Sequence, residues 1–243
     1  RGASMGREPL AGRRARAIVA AMDAERISIA IEGADPVSGL WMAPAGATAC
    51  LALAHGAGAG MTHRSMAAIS DGLAERGVAT LRYQFPYMEK GGKRVDPPPV
   101  AHAAVRAAAD EARRRAGALP LFAGGRSVGG RMTSQAQAIS PLEGVRGLVF
   151  FAFPLHTAGK PGVERAAHLA DVRIPMLFLQ GTHDALAEID LLRPVVAAQG
   201  GRATLKLVEA ADHSFHVAAK TGRKDADVLA EFLDAAVAWM AAH

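Results

Sequence analysis

The chain has 243 residues, of which 50% are hydrophobic and 21% are charged, so it can bury a large core and is not a largely disordered protein. Its apolar stretches fall well short of the roughly 20 residues that cross a bilayer, which argues against an integral membrane protein and predicts no membrane partner. Of the net charge of +5, four units come from residues 1–16, where five arginines accompany one glutamate, and only 5% of the chain is aromatic, so no nucleic-acid partner is predicted.

The N-terminal segment and the cysteine content bear on the compartment. Residues 1–25 predict a disordered or loosely attached basic segment, either native or added by cloning, because the apolar stretch 17–22 is shorter than a secretion signal requires. The single cysteine, Cys50, can form neither an internal disulfide nor a structural zinc site. These features favour a cytoplasmic protein whose one α/β domain spans residues 26–243.

Short apolar strands alternate with helical stretches along the chain. Residues 26–32 and 37–42 flank a turn-rich Gly-Ala-Asp-Pro link, which predicts an antiparallel hairpin at the start of the domain. Residues 48–54 are continuously apolar, as expected for a strand that is buried on both faces of a parallel sheet. After a glycine-rich loop, residues 63–76 predict a helix that stops at Gly77.

The same alternation continues to the end of the chain. The further predicted strands are residues 78–83, 119–123, 145–152, 174–179 and 203–208, and the further predicted helices are residues 101–115, 127–139, 188–198 and 225–242. Strands separated by helices require a parallel sheet with right-handed crossovers. The sequence therefore predicts a mostly parallel, eight-stranded α/β sheet flanked by helices, with residues 91–99 as its longest loop.

The most informative motif is Gly-Arg-Ser-Val-Gly at residues 125–129, which lies between a predicted strand and a predicted helix. This is the context of a nucleophile elbow, in which a tight turn holds the serine clear of the sheet at the positive end of a helix. The flanking glycines are expected because Cβ atoms at those positions would clash. The motif predicts Ser127 as a nucleophile, and the alternative is an ordinary glycine-rich turn.

A serine hydroxyl needs a general base and an orienting carboxylate before it can attack a carbonyl group at neutral pH. After a nucleophile elbow these follow along the chain as a carboxylate and then a histidine. Asp184 and His213 each come just after a predicted strand, which brings both to the carboxyl edge of the sheet. They are the candidate acid and base. Asp190 and His216 are the competitors. The alternative is that Asp184 caps the following helix and that His213 is an ordinary surface-loop residue.

Acyl transfer also needs backbone N–H groups that stabilise an oxyanion. One is expected from Val128, directly after the serine, and the other from the glycine-rich loop at residues 55–60, with Ala57 favoured and Gly58 as the alternative. A phosphate-binding loop is a weaker interpretation, because the Walker pattern and the Gly-x-Gly-x-x-Gly spacing are both missing. No cofactor is therefore predicted.

The surroundings of the elbow predict an open, shallow site. Only residues 153–173 connect the sixth and seventh predicted strands, which is too few for a folded cap domain. The candidates for substrate binding are Met61, His63, Arg126, Phe153, Leu155 and Phe215. The polar candidates, His63 and Arg126, suit a substrate carboxylate, and the alternative is that they pair with Glu89 or Asp96. For the apolar candidates, the alternative is ordinary core packing.

Three histidines leave a metal site as a further alternative. His183, His213 and His216 follow two neighbouring predicted strands, and imidazole is a common zinc ligand. However, neither His-Glu-x-x-His nor a carboxylate-rich pattern accompanies them. The sequence therefore predicts no metal.

Five segments together carry a family resemblance. They are residues 55–58 (HGAG), 82–89 (RYQFPYME), 124–132 (GGRSVGGRM), 181–184 (GTHD) and 212–215 (DHSF). From about residue 26 to the end, the chain resembles the α/β-hydrolase superfamily, and in particular dienelactone-hydrolase-like and testis-expressed-protein-30-like bacterial hydrolases. The resemblance implies the α/β-hydrolase fold. Position 127 is serine where dienelactone hydrolases have cysteine, which favours ester over dienelactone chemistry.

These features predict a metal-independent serine hydrolase that acts on a small-molecule carboxylic ester or thioester through an acyl-enzyme, as a monomer or homodimer. In this interpretation Ser127 attacks, His213 relays the proton and Asp184 orients the imidazole. One alternative is a non-catalytic protein-interaction module, since some eukaryotic relatives are subunits of chromatin-modifying assemblies. The other is a peptidase or acyltransferase that uses the same three residues. The sequence does not separate ester, thioester, lactone and peptide substrates.

Overall fold

A computed structural model describes residues 24–243 as one sheet flanked by helices. The strands are β1 (Glu25–Ile31), β2 (Ala34–Met42), β3 (Ala49–Ala54), β4 (Val78–Tyr83), β5 (Leu121–Arg126), β6 (Val145–Phe151), β7 (Met176–Gly181) and β8 (Ala203–Val208). Their order in the sheet is β1-β2-β4-β3-β5-β6-β7-β8. The β1–β2 and β2–β4 pairs are antiparallel and all other pairs are parallel. The predicted mostly parallel, eight-stranded sheet is confirmed.

The helices connect the strands in the predicted alternation. They are α1 (Arg64–Ala74), α2 (Pro86–Glu89), α3 (Pro98–Ala116), α4 (Val128–Ile139), α5 (Ile189–Ala197) and α6 (Asp225–Ala241), with 3₁₀ turns at Glu164–Asp171, Gly200–Arg202 and Ala219–Thr221. The helix α3 begins inside the stretch 91–99 that the sequence predicts as a loop. Prolines are tolerated there because the N–H groups of a first helical turn have no acceptor within the helix.

The strand β5 extends further than the sequence predicts. It continues through Gly124 and Gly125, which read as turn residues in the sequence, to Arg126. A Cβ atom at Gly124 would overlap the backbone of Val149 on β6, so the glycine here permits close packing of two strands. The extra residues carry Ser127 to the edge of the sheet.

The core has one layer on each face of the sheet. Alternate residues of β3 enter the two layers: Cys50 and Ala52 face α3 and α4, whereas Leu51 and Leu53 face α1 and α6. All six residues of β3 are buried, which agrees with the prediction of a strand covered on both faces. The packing of both faces fixes the direction of every strand and therefore the position of the loops at its carboxyl end.

The segment between β6 and β7 forms no separate cap domain. Its regular structure is the 3₁₀ turn Glu164–Asp171, which packs against α4, and an isolated bridge between Thr157 and Lys160. The predicted N-terminal segment, residues 1–25, lies outside the described residues except for its last two, of which Glu25 begins β1. Within residues 24–243, every helix is too short or too polar to cross a membrane.

Candidate active site

Ser127 occupies a tight turn between β5 and α4. Its φ of 52° and ψ of −123° are unusual for a residue with a side chain. The turn is held on both sides, since the Ser127 N–H donates to the Phe151 carbonyl at 2.9 Å and its own carbonyl accepts from the Arg131 N–H at 3.2 Å. A Cβ atom at Gly125 would lie 2.6 Å from the Ala54 carbonyl oxygen, and one at Gly129 would overlap the same neighbouring backbone. The strained turn persists because this packing over-determines it.

The loop after β8 brings His213 to this serine. Its ring Nε2 lies 2.8 Å from Ser127 Oγ. The Asp212 carboxylate organises the loop by accepting from the N–H groups of Ser214 at 2.7 Å and of His216 at 2.9 Å. Arg126 adds a further contact, because its Nη2 donates to the His213 carbonyl at 3.2 Å. The imidazole is therefore positioned from the elbow side and from its own loop.

The loop after β7 supplies a buried carboxylate on the other side of the ring. The Asp184 side chain is completely buried, and its Oδ2 lies 2.7 Å from His213 Nδ1. Gln180 also donates to Oδ2, and the Leu186 N–H donates to Oδ1 at 2.8 Å. Because an ionised carboxylate only accepts hydrogen bonds, the proton of neutral His213 resides on Nδ1. Nε2 is then free to accept the proton of the serine hydroxyl.

The structure thus brings together Ser127, Asp184 and His213, and it separates the competitors from them. Asp190 lies within α5, and His216 faces Asp225 at 3.0 Å. Within residues 24–243, no group of three or more His, Cys, Asp or Glu side chains is arranged to hold a metal ion. Of the histidines considered as a metal cluster, His213 contacts Ser127 and Asp184, whereas His216 contacts Asp225.

The glycine-rich loop after β3 lies directly beside the nucleophile. A Cβ atom placed on Gly56 would be 3.6 Å from Ser127 Cβ. Buried His55 holds this loop in place. Its Nε2 accepts the Phe85 N–H at 3.0 Å, and its Nδ1 lies 2.8 Å from the Gly56 carbonyl oxygen. Burial lowers the pKa of His55, so the ring is neutral and its proton resides on Nδ1.

The two residues predicted as oxyanion donors lie at the start of α4 and on this loop. Val128 is the first residue of α4, where backbone N–H groups have no acceptor in the helix, and Ala57 is exposed on the loop. Across the described part of the chain, the N–H groups of Val128 and Ala57 donate to no protein acceptor. Gly58, the alternative donor, adopts a φ of 71°.

Phe153 and Leu155 do not line the cleft, which corrects the sequence prediction. Both side chains are completely buried. The Phe153 ring packs against those of Phe150 at 5.3 Å and Phe178 at 5.5 Å. These aromatic contacts come from neighbouring strands, so the chain after β6 turns into the core before it reaches the surface.

Met61 and His63 have structural contacts of their own. Met61 is buried, and its N–H donates to Gln84 Oε1 at 2.8 Å. His63 caps α1, with its Nδ1 accepting the Ser65 N–H at 3.2 Å. These contacts explain both residues without a role in substrate binding.

Arg126 and Phe215, in contrast, line a cavity whose walls also include Ser214, so that it is bordered by the residues next to Ser127 and His213 along the chain but not by those two side chains themselves. The cavity has a volume of about 280 Å³ and lies between α1, the loop after β8 and the start of α6. Phe215 forms an apolar wall by packing on Phe232 at 4.5 Å. His63 and Arg126 do not pair with Glu89 or Asp96, which was the alternative considered for them. Glu89 instead accepts hydrogen bonds from Ser38, and Asp96 accepts one from the Tyr87 N–H.

A larger cavity, of about 530 Å³, lies at the β1–β2 hairpin and is lined by residues such as Val37, Pro86 and Val100. Its walls are mostly apolar, and none of the three polar residues described above reaches it. We therefore assign no chemistry to this larger cavity, since volume alone does not provide a nucleophile and a base.

Two positioning residues escaped the sequence analysis. Gln180 donates to Asp184 and accepts the Phe153 N–H at 2.9 Å, and Gln84 holds the loop before α1 through Met61. Gln180 is completely buried at the end of an otherwise apolar strand. A buried amide in such a strand needs hydrogen-bond partners. A glutamine at the end of an apolar strand was therefore the sequence signal that could have indicated a positioning role for Gln180.

Comparison with known proteins places these features in a family. Residues 47–241 match the family described as alpha/beta hydrolase domain. A dienelactone hydrolase from Anabaena variabilis is similar in structure, with a TM-score of 0.73, 20% identity and coverage of 91% of this chain and 98% of that chain. An α/β serine hydrolase without a lid from Xanthomonas campestris has a TM-score of 0.69, 19% identity and coverage of 89% and 95%. The esterase domain of a Rhodothermus marinus protein has a TM-score of 0.68, 15% identity and coverage of 90% and 98%.

Proposed function

Because this chain belongs to the α/β-hydrolase domain family, we propose that it is a serine hydrolase that cleaves a small carboxylic ester or thioester through an acyl-enzyme. One observation carries the proposal: hydrogen bonds of 2.8 and 2.7 Å connect Ser127 Oγ through His213 to Asp184. The similar proteins described as a serine hydrolase and as an esterase domain support the same class of reaction.

In the proposed mechanism, Ser127 Oγ attacks the carbonyl carbon of the substrate while its proton passes to His213 Nε2. The resulting imidazolium is stabilised by the buried Asp184 carboxylate on Nδ1. The N–H groups of Val128 and Ala57 bind the oxyanion of the tetrahedral intermediate. His213 then protonates the leaving alcohol or thiol, and a water molecule repeats the sequence on the acyl-enzyme to release the acid.

The surroundings of Ser127 support a short substrate. The cavity lined by its neighbour Arg126, at about 280 Å³, is slightly smaller than the usual range for small-molecule sites. The segment between β6 and β7 forms no separate cap domain. An acyl chain longer than the cavity therefore extends into water, where each added methylene contributes little binding free energy.

A panel of nitrophenyl esters from acetyl to octanoyl tests this proposal, with Ser127→Ala as the inactive control. We expect kcat/KM to peak between acetyl and butyryl esters and to stay level or fall for longer chains. A sustained rise of roughly tenfold for every two methylenes would contradict the open site, because it requires complete burial of the chain. A folded protein that hydrolyses none of these esters would favour the interaction module over the enzyme.

A further inference from the structure

The glycine-rich loop after β3 is tied at both of its ends to one neighbouring segment, which runs from the end of β4 to α2. At the first end of the loop, the Phe85 N–H donates to His55 Nε2 at 3.0 Å. At the second end, Gln84 Oε1 accepts the Met61 N–H at 2.8 Å, and Arg82 Nη1 donates to the Met61 carbonyl at 3.3 Å. The same segment therefore holds the two ends of the loop.

The middle of the loop, where the predicted oxyanion donor Ala57 lies, has no such tie. Among the described residues, no protein group forms a well-aligned hydrogen bond with the backbone of Ala57 or Gly58. Both residues are exposed. A donor that stabilises an oxyanion works best when it is oriented before the reaction, because no reorganisation is then needed as the charge develops. The hydrogen bonds at the two ends of the loop do not provide this orientation for Ala57.

Tyr87 extends from α2 toward this middle part of the loop. Its side chain is buried, and its ring lies 6.0 Å from the His55 ring. Its backbone is fixed, because the Tyr87 N–H donates to Asp96 at 3.0 Å and the Tyr87 carbonyl accepts the Gly92 N–H at 2.7 Å. Burial raises the pKa of Tyr87, and the Gly58 N–H, which lies beside the hydroxyl, acts in the opposite direction. The hydroxyl therefore points to the part of the loop that lacks a tie.

The Tyr87 hydroxyl is closed off from water and forms no complete hydrogen bond among the described residues. A buried hydroxyl without a partner costs free energy, so its presence in a folded protein calls for an explanation. Hydrogen bonds in an active site are often long or poorly aligned without substrate, and they tighten in the reacting complex. A tyrosine oxygen can accept the Gly58 N–H in this way. Because the oxygen does not reach the surface, it acts on the loop rather than on the substrate.

We propose that Tyr87 is a positioning residue for the oxyanion site, whose hydroxyl accepts the Gly58 N–H as the tetrahedral intermediate forms and so orients Ala57. The inference rests on the proposed function, because it concerns the same acyl transfer. On the other side of Ala57, His55 Nδ1 lies 2.8 Å from the Gly56 carbonyl oxygen. Since that peptide bond is trans and planar, the Ala57 N–H points away from His55. His55 and Tyr87 then hold Ala57 from both sides.

The test is Tyr87→Phe, which keeps the ring and removes only the hydroxyl. With nitrophenyl acetate we expect kcat/KM to fall by about 10- to 100-fold, through kcat rather than KM, which is less than the loss of a whole oxyanion donor. The inhibition constant of a trifluoromethyl ketone, which Ser127 converts into a tetrahedral oxyanion, should rise by the same factor. The melting temperature should stay within about two degrees of wild type or rise, because the hydroxyl has no complete hydrogen bond to lose.

Tyr83→Phe is the matched control, because Tyr83 is the other tyrosine of the chain and is also buried. Its hydroxyl faces Thr133 instead of the glycine-rich loop. The control should therefore show the opposite pattern. We expect kcat/KM and the inhibition constant within about threefold of wild type, together with a melting temperature that is several degrees lower.

The outcomes separate this inference from the proposed function. A Tyr87→Phe protein with kcat/KM and the inhibition constant within about threefold of wild type would overturn the inference and leave the hydrolase intact. A melting temperature that falls together with the activity would also overturn it, because Tyr87 would then support the fold. If the folded wild type neither hydrolyses the ester nor binds the ketone, the proposed function fails and the inference fails with it.

A measurement on the wild-type side chain covers the case in which Tyr87→Phe does not fold. Fluorine NMR of protein labelled with 3-fluorotyrosine should give one signal for each of the two tyrosines, assigned with the Tyr83→Phe variant. We expect the Tyr87 signal to shift when the trifluoromethyl ketone binds and the Tyr83 signal to stay in place. A Tyr87 signal that does not respond to the bound ketone would overturn the inference.

Discussion

Among the described residues, two partly buried serine–histidine contacts have nearly equal lengths, and their serines lie only seven residues apart along the chain. A third contact, between His63 and Ser65 at 2.8 Å, is exposed. Ser127 Oγ lies 2.8 Å from His213 Nε2, and Ser134 Oγ lies 2.7 Å from His168 Nε2. The other ring nitrogen of His213 faces the buried Asp184 carboxylate. For His168, within residues 24–243, no carboxylate contacts the ring. Burial, the nearby Arg131 cation and the neighbouring His102 lower its pKa to about 4.

The two serines also differ in their backbone and surroundings. Ser127 adopts a positive φ at the edge of the sheet, next to a cavity and a loop with free N–H groups. Ser134 lies inside α4, is completely buried and donates to the Arg131 carbonyl at 3.0 Å. A short serine–histidine distance therefore does not by itself define an active site. The carboxylate behind the imidazole and the access of a substrate make the difference.

Matched replacement of the two histidines should produce the largest contrast. His213→Gln removes the proposed base, and we expect kcat for a short ester to fall by about 10⁴-fold or more. His168→Gln should keep kcat within about twofold and lower the free energy of unfolding by about 1–2 kcal/mol, because the buried Ser134 hydroxyl loses its partner. Ester hydrolysis and urea denaturation measure these effects. A His168→Gln variant that is folded but inactive would reverse the assignment.

Replacement of the carboxylate behind His213 and of a carboxylate near His168 sharpens the same contrast. Asp184→Asn keeps the shape of the side chain, but its amide can donate to His213 Nδ1 and so favours the tautomer that cannot accept from Ser127. We expect kcat to fall by about 10³- to 10⁴-fold. Asp171→Asn, which changes a carboxylate near His168, should alter kcat less than about twofold. Loss of less than tenfold in Asp184→Asn would show that the carboxylate does not set the tautomer.

The lowered pKa of His168 should make stability depend on pH. The unfolded chain binds a proton on this histidine near pH 6.5, whereas the folded protein binds it only near pH 4. The free energy of unfolding should therefore decrease as the pH falls from about 6.5 to about 4. Because glutamine does not titrate, the stability advantage of wild type over His168→Gln should shrink over this window in urea denaturation. An advantage that grows on acidification would contradict the assignment of a neutral, buried imidazole.

Cys50 offers a third nucleophile for comparison, and we expect no reaction in the native state. The thiol is completely buried, and burial raises its pKa to about 12. A disulfide reagent at pH 8 should leave it unmodified until urea is added, when one thiol per chain reacts. Rapid stoichiometric reaction without unfolding would show that β3 opens easily.

The sequence predicts the fold well because strands and helices alternate with clear apolar patterns. Residues 78–83 and 203–208 match β4 and β8 to the residue. The errors have local causes: prolines at the start of α3 and glycines within β5 both resemble loop residues. Whether these prolines and glycines belong to a helix, a strand or a loop depends on helix geometry and on packing against neighbouring strands. The local sequence around them does not contain that information.

The candidate site was only partly predictable. The motif at residues 125–129 and the order Ser, Asp, His along the chain point to the three side chains that meet at the sheet edge. The inward position of Phe153 depends on rings that β6 and β7 supply from elsewhere in the chain. The contact between Ser134 and His168 joins α4 to a 3₁₀ turn 34 residues away, and no motif indicates it.

The most direct test of the account is labelling of the native protein with a fluorophosphonate probe, followed by mass-spectrometric identification of the modified peptide. We predict one label per chain on Ser127, no label on Ser134, and loss of labelling in His213→Gln but not in His168→Gln. A label on Ser134, or a folded wild-type protein that takes up no label, would contradict the claim that Ser127 is an activated nucleophile.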